Sequence, residues 1–213
     1  TEEPRDIAVA PDGATAYILC DKSVQVYSVR ENKVTGNIPL TGDFSQIAVA
    51  PSGEQLFLTN AAGKQLSVIQ ISQVYDIPKG SSPVIGKADA PVTVYAFLDY
   101  QWPYCSRVYP VLEQLLKKYP EKVNMVIKHF PLRMHKFAEK ASIAALAADK
   151  QGKYGEMTVV LLKNFKSLND ATIKKHAETV GLNMEQFNKD MNDPALKKQV
   201  QEDMQLGNSV KVR

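Results

Sequence analysis

Cysteine, tryptophan and histidine are scarce in this sequence: 213 residues hold two cysteines, Cys20 and Cys105, one tryptophan, Trp102, and three histidines. Two cysteines so far apart exclude a disulfide-dense miniature scaffold and a cysteine-rich zinc module. His129, His135 and His176 lack ligand spacing and read as structural or solvated, so no metal is expected. There is no Ser-His-Asp grouping and no glycine-rich phosphate loop, so no cofactor is expected either. No apolar run approaches the roughly 20 residues of a membrane span. Net charge is only +3, and lysine and glutamate interleave along the chain, so nucleic-acid binding has little support. Thr1-Glu-Glu-Pro-Arg5 is polar and charged, so no signal peptide is visible, although a trimmed secreted protein would open the same way.

What is present is ordinary for a soluble globular protein: 44% hydrophobic and 23% charged residues, in a length that suits one large or two modest domains. The most informative stretch is residues 92–119. Val92, Val94, Ala96, Leu98 and Tyr100 interleave with Thr93, Tyr95, Phe97 and Asp99 in a β-branched and aromatic run that reads as a buried strand. Val108, Val111, Leu112, Leu115 and Leu116 then share helical spacing, and Pro103 suits the first turn. Cys105 is thereby placed at a helix N-terminus, where unpaired N–H groups and the macrodipole favour a thiolate and lower a cysteine pKa.

Earlier in the chain the sequence repeats itself. Residues 6–19 are answered by residues 46–59: Ile7 matches Ile47, Pro11 matches Pro51 and Gly13 matches Gly53, an offset of 40. That period suits a four-stranded propeller blade, and short strands alternate with turns in both copies. Two copies are fewer than the typically 4 to 8 blades of a closed propeller, so their edges need shelter from further blades, the second domain or another molecule. A structural or docking module is expected, with a homodimer through the repeat edges as one arrangement.

Tyr75-Asp-Ile-Pro-Lys-Gly-Ser-Ser-Pro83 gathers turn formers between two patterned regions. The expected organisation is two β repeats over 1–72, a linker over 73–84 and a second domain over 85–213. In that domain a strand is expected over 122–130, then helices over 136–150, 154–164, 169–180, 183–192 and 194–206, with Ser167 or Asn169 and then Asn183 as caps.

Strand, Asp99-Tyr-Gln-Trp-Pro-Tyr-Cys105, then amphipathic helix resembles the active-site segment of the DsbA-like branch of the thioredoxin superfamily. The lead-in at 84–91, with its Gly-x-x-x-Ala-Pro pattern, and the helical block resemble that family too, and residues 4–72 resemble YVTN or surface-layer propeller repeats. The resemblance implies an α/β thioredoxin-like fold with a helical insertion, preceded by all-β propeller-type repeats. It implies a thiol–disulfide oxidoreductase of the periplasm or cell exterior, acting on cysteine-containing proteins or a redox partner.

Within its Cys-x-x-Cys motif the family's attacking cysteine falls on Trp102, Pro103 and Tyr104 occupy the positions that tune redox potential, and Cys105 takes the less exposed resolving position. Exchange needs an attacking thiolate and a second thiol, so dithiol turnover is expected to be lost. The alternative is a redox-inactive binding or assembly module, with Trp102 an interface anchor or a relic filling the space of a lost thiol. A third reading is a single-base change in an active enzyme. Cys20 and Cys105 are either bonded or two separate thiols. The family pattern continues after the helical block with a cis-proline loop and a hairpin, so residues 85–213 are expected to lack the cis-proline region.

Overall fold

The computed structural model describes residues 3–72 and 74–212, in two compact units, 1–74 and 75–213.

The first unit is all β. Strands β1 (Pro4–Val9), β2 (Thr15–Cys20), β3 (Ser23–Ser28) and β4 (Lys33–Pro39) form an antiparallel meander, and β5 (Gln46–Val49), β6 (Gln55–Asn60) and β7 (Gln65–Gln70) form a second. The 40-residue repeat is visible in its turns. Ala10 N–H reaches Thr15 O at 2.8 Å and Ala50 N–H reaches Gln55 O at 2.9 Å, with Gly13 (φ 68°) and Gly53 (φ 76°) in the left-handed conformation that glycine alone adopts cheaply. Tyr17, Leu19, Val24, Phe44, Ile47, Leu56 and Leu58 make one shared core. Asp6 Oδ2 accepts from Ile47 N–H at 2.9 Å, and Arg5, paired with Asp21 at 2.7 Å and with Asp43, donates to Phe44 O at 2.9 Å. Strand β4 was not legible in the sequence: Gly36 and Asn37 dilute its pattern, and a register shift at Val26/Tyr27 displaces it. Among the described residues these are two open sheets, with no closed ring of blades.

The second unit is α/β, comprising β8 (Val84–Gly86), β9 (Val92–Leu98), α1 (Pro103–Lys118), β10 (Val123–His129), α2 (Ala138–Asp149), α3 (Tyr154–Lys163), a 3₁₀ turn (Phe165–Ser167), α4 (Asp170–Thr179), α5 (Met184–Asp190) and α6 (Pro194–Ser209). The sheet order is β8-β10-β9; β10 is parallel to β9 and antiparallel to β8. Parallel pairing of β9 and β10 needs the crossover that α1 supplies. The expectation of a buried strand over 92–100 requires correction, and the strand ends at Leu98. Of β9 only Leu98 is buried, whereas all seven residues of β10 are. Both runs are rich in apolar residues, and which one lies in the middle is set by partner strands that local pattern does not reveal.

The helices follow their end signals. Asn169 accepts from Ala171 N–H at 2.9 Å and Thr172 N–H at 3.0 Å, while Thr172 Oγ1 accepts from Asn169 N–H at 2.8 Å, a complete capping box. Asn183 accepts from Gln186 N–H at 3.0 Å and Asp193 from Ala195 N–H at 2.9 Å, with Pro194 at the first helical position. In α2 the small side chains of Ala138, Ala141, Ala144, Ala145, Ala147 and Ala148 are fully buried and let neighbouring elements close around the helix.

Polar residues inside β10 tie the unit together. Lys128 Nζ, 4% exposed, lies 3.3 Å from Asp203 Oδ1 of α6 and donates to Lys79 O and Ser82 Oγ, both at 2.9 Å. Asp203 also accepts from His129 N–H at 2.9 Å, and burial pushes its carboxyl above the usual range. One turn further along α6, a Cβ on Gly207 would stand 2.6 Å from the Phe130 ring and 3.1 Å from Phe97. Gly207→Ala gains up to about 1 kcal/mol of helix propensity but overpacks this contact at about 1–3 kcal/mol. A net loss of about 1 kcal/mol is expected, read as a lower urea midpoint at unchanged slope; an equal or higher midpoint would show that Phe130 moves aside at no cost.

Candidate functional site

At the end of β9 the chain makes a short turn into α1, and the Asp99 carboxylate organises it. Asp99 is 2% exposed; Oδ1 accepts from Gln101 N–H at 2.7 Å, and Oδ2 accepts from Leu132 N–H at 2.7 Å and faces His135 Nδ1 at 2.7 Å. Gln101 Oε1 accepts from Phe137 N–H at 2.6 Å. The β9–α1 turn is thereby stapled to the loop that follows β10. The Asp99–His135 pair was missed at the sequence level, because the two residues lie 36 positions apart and share no motif.

Trp102 is the N-cap of α1, with extended backbone (φ −83°, ψ 122°) and no side-chain cap; Pro103 opens the helix, and its first turn carries no acidic residue. The indole is half-buried and packs edge-to-face on Tyr104, ring centroids 5.6 Å apart. Tyr104 is 59% exposed, and the Arg107 guanidinium lies 4.5 Å above its ring. Cys105, the third helical residue, turns the other way and is 5% exposed in the core with Tyr100 and Tyr109. The geometry therefore separates the predicted site residues: Trp102, Pro103 and Tyr104 reach the surface, and Cys105 does not.

Burial outweighs the thiolate stabilisation that a helix start offers Cys105. A hydrogen bond to the Asp99 backbone favours the charged form of Cys105, but desolvation outweighs it, and the nearby Asp99 charge adds to the upward shift. The helix-end effect falls off within one turn and does not offset a dry environment. Cys105 is a free thiol, so it is not bonded to Cys20, which is buried on β2 of the other unit.

Behind Cys105, Tyr100 Oη and Thr158 Oγ1 share a hydrogen bond at 3.1 Å, and Tyr154 Oη lies 3.3 Å from His129 Nε2. Burial pushes the Tyr100 phenol up to about 12, and burial together with the Lys128 charge pushes His129 down to about 3. His129 is therefore a neutral core group, and His176 is also lowered, by burial and Lys175. Two surface cavities, of about 190 and about 310 Å³, are lined by other parts of the unit; neither includes residues 99–105. Among the described residues no group of three His, Cys, Asp or Glu is placed to hold a metal, and no helix is long and apolar enough to cross a membrane.

A β-α-β core followed by a helical block, with a Pro-Tyr-Cys turn opening the crossover helix, defines a thioredoxin-like α/β domain of DsbA type. A family model described as thioredoxin matches residues 79–213, well over half of the chain, and the chain belongs to that family. Among solved structures it is similar to a thioredoxin-like oxidoreductase from Silicibacter pomeroyi DSS-3, at 30% identity and TM-score 0.56 over 63% of this chain and 76% of that one. The catalytic domain of Proteus mirabilis ScsC is similar at 28% identity and TM-score 0.54, over 62% of this chain and 72% of that one. The thiol-disulfide exchange protein alpha-DsbA2 of Wolbachia pipientis, at 21% identity and TM-score 0.58 over 62% of this chain and 72% of that one, shares the fold. These neighbours share with the second unit a thioredoxin-like fold. Among curated sequences, Na(+)/H(+) antiporter NhaA 3 of Salinispora tropica is 36% identical over 111 residues, which are 52% of this chain and 17% of that protein. The chain spans less than a fifth of the length of such relatives.

Two outcomes follow from the burial. An unfolded histidine takes up a proton below about 6.5, whereas folded His129 does so only near 3, so stability present above 6.5 drains away as pH falls through that window. Lys128, Asp203, Tyr100 and Tyr154 surround it, and Asp203, raised by burial, opposes the trend at the acid end. Relative to His129→Gln, the native protein is expected to lose an additional amount of up to about 1.4 kcal/mol per pH unit below 6.5 in urea titrations; parallel curves would refute a neutral buried imidazole. Cys105 is expected to react with iodoacetamide at least about 100-fold more slowly in the native protein than in guanidinium chloride, as read by intact mass; comparable rates would mean that the thiol is accessible.

Proposed function

We propose that this chain is an exported, DsbA-type member of the thiol–disulfide oxidoreductase family that engages cysteine-containing proteins or a redox partner without carrying out dithiol turnover. The observation that carries the reading is an indole, instead of a thiol, at the N-cap of α1, with Cys105 only 5% exposed behind it. Exchange begins with attack by an accessible thiolate and ends with resolution by a second thiol. Trp102 supplies neither, and the upward-shifted, desolvated Cys105 is poorly suited to replace it. By family resemblance Trp102 stands at the attacking position and Cys105 at the resolving one. Location outside the cytoplasm follows from the same resemblance. The first unit is read as a pair of propeller-type repeats serving as a docking or structural module, with a homodimer through their edges as the corresponding assembly.

A binding or assembly role is favoured over an enzyme altered at one position by the way Trp102 is integrated. Its ring meets Tyr104 edge-to-face, Tyr104 in turn sits under Arg107, and the indole packs against the core. That is a composed surface of the residue types enriched at protein interfaces.

Insulin reduction by dithiothreitol tests the reading. The native chain is expected to accelerate precipitation no more than its Cys105→Ser variant does, whereas Trp102→Cys, which restores both positions, is expected to raise the rate several-fold. Catalysis by the native chain that is lost in Cys105→Ser would overturn the proposal.

A further inference from the structure

Helix α1 has two apolar faces where a surface helix needs one. Cys105, Tyr109, Leu112 and Leu116 turn inward, while Tyr104, Val108 and Val111, spaced four and three residues apart, form a second stripe at 59%, 49% and 61% exposure. Trp102 closes the N-terminal end of that stripe through its contact with Tyr104. The loop stapled to this turn by Asp99 and Gln101 adds Met134, 80% exposed.

The charge on the segments that carry the stripe and the adjoining loop is of one sign. Residues 100–112 and 130–138 contain no Asp or Glu, and the carboxylate between them, Asp99, is buried and committed to its hydrogen bonds. Arg107, Arg133 and Lys136 are exposed. Arg107 lies over the Tyr104 ring and Lys136 over the Phe137 ring, and among the described residues none of the three has a carboxylate partner. Glu113, the first acid of α1, lies on the side of the helix opposite the stripe, and the unpaired N–H groups of the first turn add positive potential.

From this combination we infer that the Trp102–Val111 face of α1 is a docking surface for an acidic polypeptide segment with spaced apolar side chains. The inference rests on the reading that partners are held without thiol exchange, and it gives that partner a chemistry. Apolar anchors fill the stripe, and carboxylates meet Arg107, Arg133 and Lys136, giving complementary charge that speeds encounter and fixes register. A second copy of this chain is disfavoured, because a two-fold contact through this face would bring like charges together. The side chains that dominate the surface, Trp, Tyr, Met and Arg, are those enriched in protein–protein interfaces.

Trp102 is the only tryptophan, so its emission reports on the site directly. The probe is a cysteine-free 15-residue peptide alternating Glu with Leu and Phe, set against the same peptide with Lys for Glu and against vesicles containing phosphatidylglycerol. Because the peptide has no thiol, its binding is independent of the insulin result, and either can fail alone. A saturable change in Trp102 emission with the acidic peptide is expected, weakening as salt is added. It should be at least about tenfold weaker for the basic peptide and for Arg107→Glu/Arg133→Glu, whose circular dichroism is expected to match the native chain. Val111→Asp, a second variant at an exposed position, should weaken it as well. No saturable change, equal response to both peptides, indifference to both variants, or binding of the vesicles in place of the peptide would overturn the inference.

Discussion

A strand flanked on both edges and covered on both faces buries whatever polar side chains it carries, and β10 carries three, of which Asn124 Oδ1 and His129 Nδ1 have no hydrogen-bond partner among the described residues. Asn124 donates to Lys87 O at 2.8 Å and Ala88 O at 3.2 Å; Lys128 meets Asp203, Ser82 Oγ and Lys79 O; His129 gives its N–H to Asp203 and meets Tyr154. An uncompensated buried ammonium is among the costlier defects a core can hold, and removing one partner of such a pair typically costs about 3–5 kcal/mol. The lead-in segment, α6 and α3 are therefore drawn to the same strand by hydrogen bonding as much as by apolar burial. The sheet, the helical block and the residues before β8 form one cooperative arrangement around it.

The candidate site inherits its rigidity from that arrangement. The loop leaving β10 returns its Leu132 N–H and His135 ring to Asp99, and Phe137 N–H to Gln101, so the turn carrying Trp102 is held from behind by groups anchored in the core. A thioredoxin-type scaffold uses such pre-organisation to hold a reactive sulfur at a helix start. Here it presents an aromatic pair and an arginine. The same helix turn places Cys105 on the inward face, where the cost of desolvating a thiolate outweighs what the helix end returns. The start of α1 thus presents an indole, with the Cys105 thiol buried behind it, on a thioredoxin-like architecture.

What the sequence by itself determined was everything governed by local rules. The capped helices at Asn169 and Asn183, the Pro103 helix start, the strand over 123–129 and the 40-residue repeat all follow from spacing, end signals and turn residues that act within a few positions of one another. The Trp-Pro-Tyr-Cys turn and its strand–helix setting were equally legible, because βαβ order constrains what can follow what. Only the tertiary structure decided which strand lies in the middle of the sheet, that Asp99 and His135 meet, and that Lys128 and Asp203 pair. Each of these depends on residues 30 or more positions apart or on the other strands of the sheet, and burial is a property of what packs around a residue. For the same reason the second apolar stripe of α1 acquired meaning only in the fold. In the sequence Val108 and Val111 share one apolar face with Leu112, Leu115 and Leu116, whereas the structure leaves Tyr104, Val108 and Val111 facing outward.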